Sequence, residues 1–497
     1  MGRPEPDARL PIKLEPVSNG EFYPTRNPPA VREAIRRSYE QADRNARRLG
    51  ISRRRFMQSL PAAALVLYNL SACSREEKRA REGRDPGGKF DVPPEATIEE
   101  DAAKEVLTGD EFIMDVQTHF LDFDLTKPPE EEPLGIAGFF GSLSPHCADV
   151  ADKRECFAME TFLEELFIRS DTDIAVLSAL PYPGDANQLP PDAMEEAIRV
   201  VEALCNDDRL LMHVGAYPHV GRVEAALDAM TEARERYDVA AWKIYTMVPA
   251  AAAFYFDDHD PDRPQIGQRF IDHVREIGPP IICTHKGFGA IVGGSAELAS
   301  PEDIGPAAAR NPDIEFVVYH SGYEPGGGPE GPYEGVGDRS INRLIKSLED
   351  AGVEPGSNVY AELGSTWQNV MRDPDAAAHT IGKLLRWVGE DNVLWGTDAI
   401  WFGTPQDQIQ AFRTFSISEE FQEKYGYPAL TDEVKRKIFG LNAARLYGVE
   451  PRNLECRFSR EDLEAARAEL AVGRVHGPTS IAEAARLIAV HQARIIM

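Results

Sequence analysis

Three histidines and one aspartate stand where a folded chain can gather them. They are His119 in Asp115-Val116-Gln117-Thr118-His119, His285 in Cys283-Thr284-His285-Lys286, His320 in Val318-Tyr319-His320-Ser321 and Asp398 in Trp395-Gly396-Thr397-Asp398. Each closes a short, mostly apolar run. Imidazole nitrogen and carboxylate oxygen converging in one cavity make a site for a first-row divalent metal with open positions, suited to Zn2+ and hydrolytic chemistry. Such a cation lowers the pKa of its water to roughly 7 and polarises a carbonyl oxygen. Any one of these histidines alone is accounted for by burial and a hydrogen bond. The four groups together are not, because an unpaired cluster of this kind is expensive to bury. The chain has 11 His in all, and the remaining eight are read as structural.

The elements that must position these groups recur at regular intervals. Short apolar runs lie at 112–120, 173–180, 210–217, 239–246, 280–287, 314–322, 358–365 and 392–399. Several are almost continuously apolar, as parallel strands buried on both faces must be. Between them, 193–205, 223–237, 341–351 and 377–388 carry apolar residues three and four apart, the helical spacing. Eight strand-then-helix repeats predict an α/β fold of the (β/α)8 TIM-barrel type, with chemistry at the carboxyl ends of the strands. Gln117 and His119, two apart on one strand, share a face toward the barrel interior. No Gly-x-Gly-x-x-Gly follows the first run, so a dinucleotide site is not indicated.

From about 110 to 450 the chain resembles the amidohydrolase superfamily, in the amidohydrolase-related branch that contains aminocarboxymuconate-semialdehyde decarboxylase and resorcylate decarboxylase. The residues that carry the likeness are His119, His285, His320, Trp395-Gly396-Thr397-Asp398 and, most specifically, Lys437-Ile438-Phe439-Gly440-Leu441-Asn442-Ala443-Ala444-Arg445-Leu446-Tyr447-Gly448. The resemblance implies that His119, His285 and Asp398 hold one divalent metal, Zn2+ first and Mn2+ as the alternative. It implies that His320, with Asp398 as an auxiliary, moves the proton. Gln117 departs from the pattern, which has His or Glu there; a neutral amide oxygen is a weak ligand. Lys243, facing the cavity, is expected either to attract a substrate carboxylate or to pair with Glu362. Tyr323, in the glycine-rich 322–333 loop, and Trp367 are expected to touch a small-molecule substrate. The 322–333 loop is read as a mobile lid, and 247–264, with Phe254, Tyr255 and Phe256, as apolar cover; Arg169, Tyr333 and Arg372 are weaker candidates. These parts suit hydrolysis of an amide, ester or lactone. Non-oxidative decarboxylation on the same scaffold is the runner-up, and a lipid-anchored binding protein that has lost catalysis is the third reading.

Composition bounds the rest. The 497 residues are 42% hydrophobic and 27% charged, enough to build a core. A formal charge of -28 disfavours nucleic-acid or anionic-lipid partners. The charge is uneven: residues 1–72 carry 13 Lys+Arg and 7 Asp+Glu, the remainder 41 and 75. Ser52-Arg53-Arg54-Arg55-Phe56-Met57 precedes the apolar stretch 60–72 and Cys73, an order that resembles a twin-arginine export signal ending in a lipoprotein box. Residues 1–73 are therefore expected to direct export to the periplasm or cell surface, with Cys73 lipidated as the sole membrane attachment. The alternative is a buried helix beginning at a basic cap. Residues 74–109 read as a charged, solvated tether. Residues 451–497 read as amphipathic helices that pack on the barrel or on a second subunit of a homodimer.

Overall fold

A computed structural model describes residues 9–15, 17–22, 26–131, 147, 150–205, 207–289 and 297–452. Most of the expected helical tail, from 453 onward, lies outside the described residues. The strands, in chain order, are β1 (Gly88–Phe90), β2 (Met114–Thr118), β3 (Ile174–Ser178), β4 (Leu210–Gly215), β5 (Val239–Ile244), β6 (Ile281–His285), β7 (Glu315–Tyr319), β8 (Val359–Glu362), β9 (Val393–Leu394) and β10 (Phe415–Ile417). β2 to β9 form one parallel sheet in sequential order, each strand inside one of the eight expected runs. Helices such as Val223–Arg236, Ile341–Ala351 and Pro374–Trp387 connect them.

The sheet closes on itself. Val116 N–H donates to the Trp395 carbonyl (3.1 Å), Asp398 N–H to the Gln117 carbonyl (3.0 Å) and His119 N–H to the Ala399 carbonyl (2.6 Å). Asp115, fully buried at that seam, accepts from Thr397 N–H (3.0 Å), the Thr397 hydroxyl and Gln117 N–H (3.2 Å). One carboxylate thus sets β2 against the 395–399 segment and fixes where Gln117 and Asp398 come to lie. The alternation of side chains along the strands divides the apolar residues in two. Met114, Val116, Val176, Cys283, Val317 and Leu394 form one cluster, while Ile113, Ala175, Leu177, Ile282, Phe316 and Val318 join the larger core shared with the helices. The fold is a (β/α)8 TIM barrel, as the periodicity predicts.

The first hundred residues differ from expectation. Helices α1 (Pro29–Leu49) and α3 (Leu60–Glu82) pack together, joined by the short α2 (Arg53–Met57), which Ser52 caps by accepting from Arg55 N–H (3.2 Å). α1 buries Val31, Ala34, Ser38, Ala42 and Ala46, a stripe of small residues at helical spacing that lets the two helices approach. α3 buries Leu65, Val66, Leu67 and Leu70, and Asn69 donates to the Ser38 hydroxyl (3.1 Å). The stretch read as an export core is here a buried helix following a basic segment. Cys73, expected to carry lipid, is 2% exposed.

The segment 74–109 is folded onto the barrel rather than solvated. β1 pairs antiparallel with β10, and the Ser71 hydroxyl accepts from Phe90 N–H (2.8 Å). Lys78 and Arg84 both reach Asp375, each at 2.6 Å. Helix α4 (Glu100–Leu107) buries Ala103 and Leu107. Buried Phe90, Val92, Ala96, Ala103 and Leu107 are what secure the second half of this charged stretch.

Candidate active site

The residues at the strand ends meet at the carboxyl end of the barrel. His119 directly follows β2, His285 ends β6, His320 directly follows β7, and Asp398 lies just beyond β9. All four are buried, at 2% exposure or less. His119 Nε2 is 3.2 Å from Asp398 Oδ1, and His320 Nε2 is 3.2 Å from His285 Nδ1. Gln117 Nε2 joins the pairs, 3.0 Å from Asp398 Oδ1 and 3.4 Å from His320 Nε2.

Strain holds this arrangement. His320, Ser321, Ser365 and Asp398 have φ of 64°, 55°, 53° and 60°, and Phe288 has 47°. Non-glycine residues rarely adopt such angles, and each costs of order 1–3 kcal/mol. Around His320 the strain is braced by buried bonds. Glu362 accepts from His320 N–H (2.9 Å) and Gly364 N–H, Ser321 donates to the Glu362 carbonyl (2.7 Å), and Thr366 donates to the His320 carbonyl (2.8 Å). A Cβ on Gly364 would come within 2.3 Å of Gln117 Oε1 and 2.5 Å of Glu362 Oε1, so any larger residue would displace both side chains.

Backbone carbonyls set two of the imidazoles. His119 Nδ1 lies 2.7 Å from the Ser178 carbonyl, and His320 Nδ1 lies 2.7 Å from the Gly364 carbonyl. A carbonyl can only accept, so each Nδ1 carries a proton, and each ring in its neutral form turns a lone pair on Nε2 into the cavity. For His119 that lone pair faces a carboxylate oxygen at 3.2 Å. Two acceptors so close need a cation between them, a proton or a metal ion. The donor set of imidazole and carboxylate fits Zn2+ or Mn2+, and this fit is the structural support for a metal here.

Burial dominates the electrostatics. It drives His320 down to about 4, with Asp398 opposing and Lys243 adding to the shift. It drives His285 well below the ordinary imidazole value, helped by His320 and Lys243. Burial works to raise Asp398, but its bond to His119 and the charges of His119 and His320 hold it below the usual carboxylate range, with the Ser365 hydroxyl (2.5 Å) adding to that. Burial lifts Glu362 to about 8 against the opposing backbone bonds.

Several expectations need correction. Gln117 presents its amide nitrogen to Asp398 and His320, while its Oε1 lies buried without a hydrogen-bond partner; it orients Asp398 and offers no ligand oxygen. Lys243 does not pair with Glu362. Its ammonium, buried and without a hydrogen-bond partner, sits 3.4 Å from the Tyr319 ring centroid and 4.6 Å from that of Tyr245, and burial lowers it to about 8. Trp367 belongs to the core: fully buried, it packs against Phe412 and Phe415 and donates to the Gln408 carbonyl (3.0 Å). Tyr323 is one layer removed, packing on Phe288, which packs on His320. The 322–333 loop is tied down, not free. Arg339 donates to the carbonyls of Gly327 and Pro329, and buried Glu330 pairs with Lys383. Phe254 and Phe256 are core residues, Arg169 and Tyr333 bond outward to glutamates, and Arg372 lines a separate cavity of about 540 Å3 with Asn27, Lys78 and Tyr323.

Other groups of the site were not singled out from the sequence. Tyr245 stacks on His285 (4.8 Å) and Trp401 on His119 (5.5 Å). Both could have been found as aromatics beside strand-end motifs. Asn19 and Glu21 enter from the amino-terminal segment. Asn19 Nδ2 lies 2.6 Å from Glu21 Oε2, 2.9 Å from Asp398 Oδ2 and 3.1 Å from the Ser365 hydroxyl. Glu21 Oε1 is 3.6 Å from His285 Nδ1. Nothing local in the sequence marks either residue.

The family model for amidohydrolases (Amidohydro_2) matches residues 115–449. The chain belongs to the amidohydrolase family. The match takes in His119, His285, His320 and Asp398 but not the amino-terminal segment that brings Asn19 and Glu21 to the site. Among curated proteins none matches this amidohydrolase. Its barrel is similar to an uncharacterised TIM-barrel protein from Bordetella bronchiseptica (14% identity, TM-score 0.44, 68% of this chain and 98% of that one). It is similar also to a 5-carboxyvanillate decarboxylase from Novosphingobium aromaticivorans complexed with manganese (14%, TM-score 0.41, 69% and 99%). A probable 2-pyrone-4,6-dicarboxylic acid hydrolase from Acinetobacter baumannii is a third (13%, TM-score 0.39, 68% and 99%).

Proposed function

We propose that this amidohydrolase is a metal-dependent hydrolase of a small carboxylated amide, ester or lactone. The observation that carries the reading is His320. Its ring is held by the Gly364 carbonyl with the Nε2 lone pair turned toward the other site groups, and burial keeps it neutral down to about pH 4. A neutral, oriented imidazole is a proton acceptor ready at physiological pH.

By the family pattern His119, His285 and Asp398 would hold the divalent metal, drawing together from the two pairs His119–Asp398 and His285–His320 in which they stand here; when bound it supplies an acidified water and polarises the scissile carbonyl. The chain's own residues do the remaining work. His320 accepts the proton at Nε2 and returns it to the leaving group. Gln117 and Ser365 hold the two oxygens of Asp398 in place. Lys243, without an ion pair of its own though Glu362, Glu21 and Asp398 act on it from a distance, attracts a substrate carboxylate into a dry cavity where charge pairing is strong. Tyr245 and Trp401 shield the imidazoles from bulk water.

The test is turnover of a panel of carboxylated lactones, esters and amides by metal-loaded protein in 18O-water. Label in the product supports hydrolysis. Release of CO2 without label selects decarboxylation, which the unpaired Lys243 also suits because that substrate must bear a carboxylate. Export by the twin-arginine route is proposed on the order of residues 52–57 alone. Because Asn19 and Glu21 stand in the site, the active form would retain them. An active periplasmic species beginning at residue 73 would separate the amino-terminal segment from function.

A further inference from the structure

The site has one group that the amidohydrolase region does not supply. Glu21 Oε1 lies 3.6 Å from His285 Nδ1, and Oε2 lies 4.0 Å from His320 Nε2. These three side chains offer ligand atoms within 4.8 Å of one another, the one such group of His, Cys, Asp or Glu among the described residues; His119 and Asp398 stand beside it as a separate close pair. Two ligands of one ion at roughly 2.0–2.2 Å lie about 2.8–3.6 Å apart at octahedral to tetrahedral angles. The Glu21–His285 separation and the 3.2 Å between His119 and Asp398 both fit that span.

β2 explains the need for it. Gln117 contributes neither charge nor an oxygen to the cavity, so β2 offers a single ligand, His119. Glu21 provides the anionic oxygen from another part of the chain. Its neighbour Asn19 positions it: the Asn19 side chain accepts from Glu21 N–H (3.0 Å), while its Nδ2 lies within hydrogen-bond distance of both Glu21 and Asp398. Burial and the neighbouring Asp398 push the Glu21 carboxyl well above its ordinary value, so two carboxylates this close in a largely buried cavity need a cation, a proton or a metal ion, to relieve their repulsion.

The segment that carries Glu21 is anchored along its length. Leu10, Ile12, Leu14, Val17 and Phe22 are buried, and Phe22 packs on Phe288 (5.3 Å). Lys13 pairs with buried Asp407 (2.7 Å) and donates to the Thr404 carbonyl (2.7 Å). Anchoring on both sides of Ser18 delivers the Glu21 side chain to the cavity.

We propose that Glu21 is a ligand of the metal ion, standing in for the anionic or imidazole ligand that Gln117 cannot be. The inference rests on the metal-dependent reading above. The experiment is calorimetric titration of the metal-stripped full chain with Mn2+ and with Zn2+, comparing the natural protein with Glu21→Gln and Glu21→Asp. Glu21→Gln keeps the shape and an oxygen for Asn19 but removes the charge, and its metal-free melting temperature controls for folding. We expect Glu21→Gln to weaken metal binding at least about tenfold and Glu21→Asp to lie between. Equal affinities for the natural protein and Glu21→Gln would overturn the proposal while leaving the metal site standing. Tighter binding by Glu21→Gln would make Glu21 a plug instead of a ligand and would overturn it too. No binding by the natural protein would remove the metal reading itself, and this inference with it.

Discussion

Lys243 is a cation kept for function at a cost in stability, and replacing it should show both sides. Its ammonium is buried without a hydrogen-bond partner, and desolvation is the main reason its pKa falls from 10.5 to about 8. At roughly 1.4 kcal/mol for each tenfold change in acidity, that fall corresponds to about 3 kcal/mol of destabilisation when the group is charged. The Tyr319 and Tyr245 rings, 3.4 and 4.6 Å from Nζ, offset roughly 1–2 kcal/mol through cation–π attraction. Lys243→Met, of similar volume and uncharged, should therefore stabilise the metal-free protein by about 1–2 kcal/mol at neutral pH.

The pH dependence has a definite sign. The folded ammonium is more acidic than the unfolded one, so between about pH 8 and pH 10.5 the unfolded chain binds more protons and the natural protein gains stability as pH rises. The advantage of Lys243→Met should be full below about pH 8 and vanish by about pH 10.5. Urea denaturation at pH 7 and pH 10, followed by tryptophan fluorescence, measures it. Affinity for a carboxylated substrate should fall in the same variant. A variant less stable than the natural protein at pH 7, or an advantage that does not change with pH, would mean that Lys243 has an anionic partner and that the vacancy for a substrate carboxylate does not exist.

Three further outcomes follow from the site. His119→Ala, His285→Ala and Asp398→Asn should each lose bound metal on dialysis and at least about a hundredfold in turnover; elemental analysis finding wild-type occupancy would contradict the ligand set. Because His320 must be neutral to accept a proton, kcat/KM should fall on the acid side near pH 4, and a bound cation pushes the same way; a pH–rate profile with its acid limb at the ordinary imidazole value near 6.5 would overturn the burial-lowered value read here for His320. Trp367→Phe should lower stability by about 1–3 kcal/mol through the lost bond to Gln408 and the space left behind, with KM unchanged. A raised KM would return Trp367 to the substrate.

The sequence by itself determined the barrel. Alternation, apolar runs and helical spacing are local properties, and eight repeats of them admit few closures; each of β2 to β9 lies inside its expected run. The same regularity made His119, His285, His320 and Asp398 legible, because a residue's place at the end of a strand tells which end of the barrel it faces. What the tertiary structure decided was every relation between distant segments. Trp367 and Gln117 were read by type and position, but packing against Phe412 and the direction of an amide decide what such groups do. The 60–72 stretch has the composition of an export core and equally of a buried helix, and only the folded chain shows the small-residue face of α1 on which it packs. Asn19 and Glu21 carry no local signal at all. Their contacts with Ser365 and Asp398 span more than three hundred residues of chain, and such contacts exist only once the barrel has closed and a face is there to receive the segment.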